Sequence, residues 1–111
     1  MLEFYFDNPM TMNRFRSGPS GQFIDGFSGC LKNAGYSWWT ARVFLRAADH
    51  IGRYAEAQGG EINDLEWSTL TGFQDHLSTC SCTESSRSKT VDVVRGARHF
   101  IKASRKNNFL V

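Results

Sequence analysis

The sequence predicts an all-α fold, a compact bundle of four helices. Three observations carry that expectation. Four segments repeat apolar residues at the helical period of 3.6. Glycine, serine and threonine punctuate the gaps between them. No segment of any strength alternates apolar and polar residues at the period of a strand. A length of 111 residues with 41% hydrophobic content suits one domain with a buried core.

Residues 1–19 hold both prolines, Pro9 and Pro19, and two scattered arginines, Arg14 and Arg16. Met10, Met12 and Phe15 show no clean period, so this stretch is expected to be a partly disordered N-terminal arm ending in a turn at Ser17-Gly18-Pro19-Ser20. The folded domain is then expected over residues 20–106, with 107–111 as a tail or the start of a linker. The first helix is expected from about Gly21 to Ala34, because Phe23, Phe27, Cys30, Leu31 and Ala34 make one stripe. Gly35 closes it in the manner of a C-cap.

The second helix follows the N-cap Ser37 and ends near Gln58-Gly59-Gly60. At about 100° per residue, Thr40, Val43, Phe44, Ala47, Ala48, Ile51, Tyr54 and Ala55 share one arc. Arg42, Arg46 and Arg53 share the other, beside Trp39, Asp49 and His50. Ile62 and Leu65 anchor a connector. The third helix is short, about Trp67 to Leu77, with a stripe of Leu70, Phe73 and Leu77. Residues 78–88 are rich in Ser, Thr and Cys and read as a loop. The fourth helix runs from about Ser88 to Ser104. Its Val93, Val94, Ala97, Phe100 and Ile101 share one arc, and Arg95, Arg98, Lys102 and Arg105 share the opposite one.

The net charge of +2 hides an asymmetry. Residues 1–55 hold six basic and four acidic residues, residues 56–84 hold six acidic and no basic ones, and residues 85–111 hold seven basic and one acidic. One basic face and one acidic face are therefore expected. A row of arginines on a rigid helix suits a phosphate backbone, since each planar fork pairs with phosphate oxygens. No apolar run approaches the roughly 20 residues of a membrane span, and Glu3 and Asp7 interrupt any signal-like stretch. Three cysteines are too few and too odd for a disulfide framework, so a cytoplasmic location is expected.

Catalytic and metal patterns are weak. Cys80-x-Cys82 with His76 lacks the Cys-x-x-Cys spacing and the fourth ligand common in structural zinc sites. Glu61, Asp64 and Glu66 read as a solvated connector, and Tyr5, Tyr36 and Tyr54 carry no sign of activation as nucleophiles. No cofactor, no metal, no small-molecule substrate and no membrane partner are expected.

Four motifs in order carry a resemblance: Gly-Pro-Ser-Gly-Gln-Phe-Ile-Asp-Gly-Phe at 18–27, Gly-Tyr-Ser-x-x-Thr-Ala-Arg at 35–42, Leu-Arg-Ala-Ala-Asp-His-Ile at 45–51 and Arg-Gly-Ala-Arg-His-Phe-Ile at 95–101. Over residues 14–108 the chain resembles the N-terminal core-binding domain of phage-integrase-type tyrosine recombinases. The resemblance implies an orthogonal, SAM-like four-helix bundle that clamps one side of double-stranded DNA through its second and fourth helices. Carried over by position, it places Ser37, Thr40, Arg42 and Arg46 of helix two, and Ser86, Arg87, Ser88, Lys89, Thr90 and Arg95 of helix four, at the DNA. Helical phase adds Trp39, Arg53, Arg98 and Lys102. Trp38 and Trp39 cannot share a face, so one is expected against helix one and the other at the rim.

The resemblance implies a parent enzyme of DNA integration that breaks and rejoins DNA through a 3′-phosphotyrosine, with other recombinase protomers as partners on DNA. The catalytic set belongs to a second domain that is not in this sequence, so the chain itself is expected to be non-catalytic. The alternatives are a SAM-like protein–protein interaction module and a regulatory truncated integrase of a mobile element.

Overall fold

The computed structural model of the chain describes residues 2–60, 65–79 and 90–105. Every regular element among them is helical. A single 3₁₀ turn at Leu2–Phe4 precedes five α-helices: α1 (Pro9–Ser17), α2 (Gly21–Asn33), α3 (Trp38–Ala57), α4 (Trp67–Leu77) and α5 (Thr90–Arg105). The four expected helices are α2 to α5, with boundaries close to those expected. The fifth, α1, lies where an arm was expected.

The reason is local and then tertiary. Asn8 caps α1 by accepting the Met10 N–H at 2.9 Å, and Pro9 occupies the first turn, where its missing donor costs nothing. The segment then anchors itself by burial: Leu2, Tyr5, Phe6 and Phe15 are all in the core, with the Phe6 and Phe15 rings edge to face at 5.1 Å. The apolar residues of 2–15 show no helical period because they sit on a 3₁₀ turn, an extended link and one face of a short helix.

The longest helix, α3, is the centre of the fold and packs on α5, α2 and α4. Ser37 caps it by accepting the Thr40 N–H at 3.1 Å while its hydroxyl donates to Thr40 Oγ1 at 2.9 Å. Val43, Phe44, Ala47, Ala48, Ile51 and Ala55 of the expected arc are buried, whereas Thr40 and Tyr54 at its edges are half-buried. Gly35 and Gly59 adopt φ of +82° and +84° and end α2 and α3, the conformation that glycine alone takes without strain.

Two close approaches fix how the neighbours dock on α3. Ser20, completely buried at the entry to α2, donates its hydroxyl to the Ala48 carbonyl at 2.7 Å, and the absence of a side chain at Gly52 leaves room for it. At the crossing with α5, a Cβ on Gly96 would lie 2.9 Å from Phe44 Cα and from Ala47 Cβ. The motif residues Ser20 and Gly96 thus have structural work at helix contacts. On α5 the whole expected arc, Val93, Val94, Ala97, Phe100 and Ile101, is buried. Phe100 packs edge to face on Phe27 at 5.2 Å and on Phe23 at 6.3 Å, closing the core between α2 and α5. No helix among the described residues is long and apolar enough to cross a membrane.

Candidate nucleic-acid interface

The expected DNA-facing residues divide into three groups. The first is the arginine row of α3. Arg42 donates to the Tyr5 carbonyl at 3.0 Å, and its guanidinium lies 4.4 Å from the Trp38 ring and 4.8 Å from the Phe6 ring. Arg46 lies over the same Phe6 ring at 5.4 Å. Arg53 donates to both Asp49 oxygens, at 3.0 and 3.2 Å, and to the Arg14 carbonyl at 2.9 Å. Asp49 is completely buried. The expectation of an open arginine row on this helix therefore fails for Arg42 and Arg53. Residues 2–17 engage the row while leaving Arg42, Arg46 and Arg53 half-exposed, and a guanidinium fork is well suited to collect backbone carbonyls and aromatic faces at once.

Asp49 and His50 also belong to the interior rather than to a polar face. The His50 ring packs edge to face on Phe73 at 5.0 Å.

The second group is α5 with the start of α3. Thr90, Arg95, Arg98 and Lys102 are exposed, as are Ser37 and Trp39, and Thr40 is half-buried. Tyr36 and His99 join the two helices: the Tyr36 hydroxyl and His99 Nε2 are hydrogen-bonded at 3.2 Å, and the His99 ring stacks on Phe44 at 5.2 Å between centroids. Burial pushes the His99 pKa below its ordinary 6.5, and the cations of Lys102, Arg95 and Arg98 push it further in the same direction. The imidazole therefore registers a positive field from Lys102, Arg95 and Arg98 of α5.

Between these helices lies a cleft of about 250 Å³, lined by Tyr36, Trp39, Thr40, Val43, Phe44, Asp92 and Arg95. Tyr36, Phe44, Asp92 and His99 were not singled out from sequence as site residues. Tyr36 and His99 are 63 positions apart, and no spacing rule links them.

The third group, Ser86, Arg87, Ser88 and Lys89, lies outside the described residues, as do Cys80 and Cys82. His76 belongs to an aromatic cluster, 5.0 Å from the Tyr54 ring and 5.4 Å from His50. No group of three or more potential metal ligands is assembled among the described residues.

Both indoles at the start of α3 are exposed, Trp38 by 50% and Trp39 by 58%. Neither is buried against α2 as one was expected to be. Trp38 Nε1 donates to the Phe4 carbonyl at 3.3 Å, so it belongs to the N-terminal cover, whereas Trp39 stands over the cleft. Beside the cover, Arg16 binds Glu3 and Asp25, each at 2.8 Å. A backbone hydrogen bond at Glu3 itself and then the Arg16 guanidinium lower the Glu3 carboxyl pKa to about 2, and Arg16 also lowers that of Asp25.

The chain matches no family model, no curated protein and no solved structure. Its functional reading therefore rests on the geometry of this face and on the motifs in its sequence.

Proposed function

We propose that the chain is a DNA-binding, non-catalytic domain that clamps duplex DNA. It is of the kind that forms the core-binding part of phage-integrase-type tyrosine recombinases, with α2 to α5 as the SAM-like orthogonal bundle and α1 as an addition. The carrying observation is the exposed row Arg95, Arg98 and Lys102 on α5, set beside the hydroxyl-capped start of α3. A helix start offers unpaired N–H groups and a partial positive charge, and the α5 cations add guanidinium and ammonium donors at the same face. Contacts of this kind position a protein on DNA and specify little sequence. Double-stranded DNA is the expected partner, with other recombinase protomers beside it.

The DNA-facing set is drawn from Ser37, Trp39, Thr40, Arg46, Thr90, Arg95, Arg98 and Lys102. Arg42 and Arg53 serve the fold.

Fluorescence anisotropy against a random duplex of about 30 base pairs tests this reading. Affinity should fall steeply with salt, and replacing Arg95, Arg98 and Lys102 together by alanine should flatten the log–log salt slope by about 3. An unchanged slope in the triple variant would remove these residues from the interface.

A second reading, an interaction module for another protein, draws on the exposed aromatics Phe4, Trp38 and Trp39. Binding through such a surface should be nearly indifferent to salt.

A further inference from the structure

We propose that the cleft between the start of α3 and α5 is a binding site for an unpaired nucleobase, selective for one that carries an exocyclic amine. The inference rests on the reading of this face as DNA-binding and names the part of the DNA that the cleft takes.

The walls set the ligand. Val43 and Phe44 make an apolar floor, and the Trp39 indole forms a broad wall that is 58% exposed, so a flat aromatic ring can stack on it without displacing protein. Asp92 contributes a half-buried carboxylate with no hydrogen-bond or ion-pair partner among the described residues. A carboxylate accepts only, so it repels a phosphate and selects a ligand edge that offers N–H donors. Cytosine N4, adenine N6 and the guanine N2 amine are such edges, whereas thymine offers only its N3–H, set between two acceptor oxygens that a carboxylate repels. Arg95 lines the same cleft and is exposed, so its guanidinium is available to the phosphate of the nucleotide whose base enters.

A base inside an intact duplex still offers one amine N–H in the major groove, but both its faces are stacked, so it cannot lie on the Trp39 indole. The cleft therefore fits a base that has left the stack: a bulge, a mismatch or a strand opened during exchange.

The test compares three labelled duplexes of about 30 base pairs at low salt: intact, with one bulged cytosine and with one bulged thymine. The cytosine bulge should bind about tenfold more tightly than the intact duplex, the size of effect that one base–aromatic stack gives, and severalfold more tightly than the thymine bulge. Trp39→Ala should bring the bulged-to-intact ratio to within about twofold of unity, and Asp92→Ala should erase the difference between cytosine and thymine.

Equal affinity of the unmodified protein for intact and bulged duplexes overturns the cleft assignment while leaving salt-sensitive duplex binding in place. A preference for the bulge that survives Trp39→Ala also overturns it, because the preference then comes from bendable DNA. No binding to any of the three overturns both readings and leaves a protein side chain as the occupant of the cleft.

Discussion

The arginines of α3 and the cations of α5 hold the same helical phase, opposite the core arc of their own helix, yet they meet different surroundings. Those of α3 face residues 2–17, where Tyr5 and Arg14 supply carbonyls and Phe6 an aromatic face, while Trp38 of α3 itself supplies a second ring. Arg95, Arg98 and Lys102 of α5 face solvent. The difference teaches that phase identifies which face of a helix is not core, but not what lies against that face. An arginine row is equally apt for phosphate and for carbonyl oxygens, and here a segment of the chain's own supplies the latter.

The largest test of this contrast is Arg53→Ala against Arg98→Ala. Arg53→Ala leaves the Asp49 carboxylate in the interior without its guanidinium, so it should cost about 3 kcal/mol, or roughly 10–15 °C in Tm. Arg98→Ala should stay within about 0.5 kcal/mol of the parent. Thermal melts followed by circular dichroism decide it, and equal Tm values for the two variants would mean that the two stripes are alike.

Next in size is Gly96→Ala, which places a methyl 2.9 Å from Phe44 Cα at the α3–α5 crossing. Part of that contact is backbone, so the helices must separate, and a loss of about 2 kcal/mol is expected in urea unfolding. The same change should loosen the Tyr36–His99 bond and widen the cleft. Arg42→Ala follows, at about 1 kcal/mol, through one hydrogen bond and two cation–π contacts with the N-terminal cover. It should also change the Trp38 emission. DNA affinity lost in Arg42→Ala without any fall in Tm would return that residue to the DNA face.

The smallest effects come from pH, and they separate the two regions by window. The His99 pKa is lowered in the folded state, so below its ordinary 6.5 the unfolded chain binds the proton first and stability falls with pH until the folded pKa is reached. His99→Gln should remove that slope. Glu3 and Asp25 are also lowered in the folded state, from ordinary values of 4.5 and 3.8. Their contribution is fully present above those values and is lost as the pH falls toward about 2, the folded value of Glu3. Melts between pH 7 and 2 should therefore show an α5-side slope first and an N-terminal slope second. Arg16→Gln should weaken only the second, because a backbone hydrogen bond at Glu3 remains.

Much of the helical plan was legible in the sequence. Of the α2 stripe Phe23, Phe27 and Leu31 are buried, Cys30 is half-buried and Ala34 is exposed; Val43, Phe44, Ala47, Ala48 and Ile51 of α3 and Val93, Val94, Ala97, Phe100 and Ile101 of α5 are buried as their period requires, while Ser37 starts α3 and Gly35 and Gly59 close α2 and α3 as their chemistry requires. The helix start at Asn8-Pro9 was legible too, since a capping side chain followed by proline at the first position is a start signal. Two prolines and no clean period pointed the other way. Asp49 and His50 were placed on the polar side because charge and phase agreed, and neither could reveal that Arg53 neutralises the one and Phe73 packs the other.

What the sequence determined by itself is the set of properties that arise within one helix: where each begins, where it stops and which arc is apolar. These follow from hydrogen-bond caps, left-handed glycines and a fixed rotation per residue, all of which act over a few positions. Tertiary structure alone decided which polar face is covered. The contact of Arg42 with Tyr5 spans 37 positions and that of Tyr36 with His99 spans 63, so both were set by how the N-terminal segment and α5 lie against the start of α3. Docking is governed by close approach at Gly96 and Gly52 and by the burial of Phe6 and Phe15, and shape complementarity of that kind has no signature in a linear pattern.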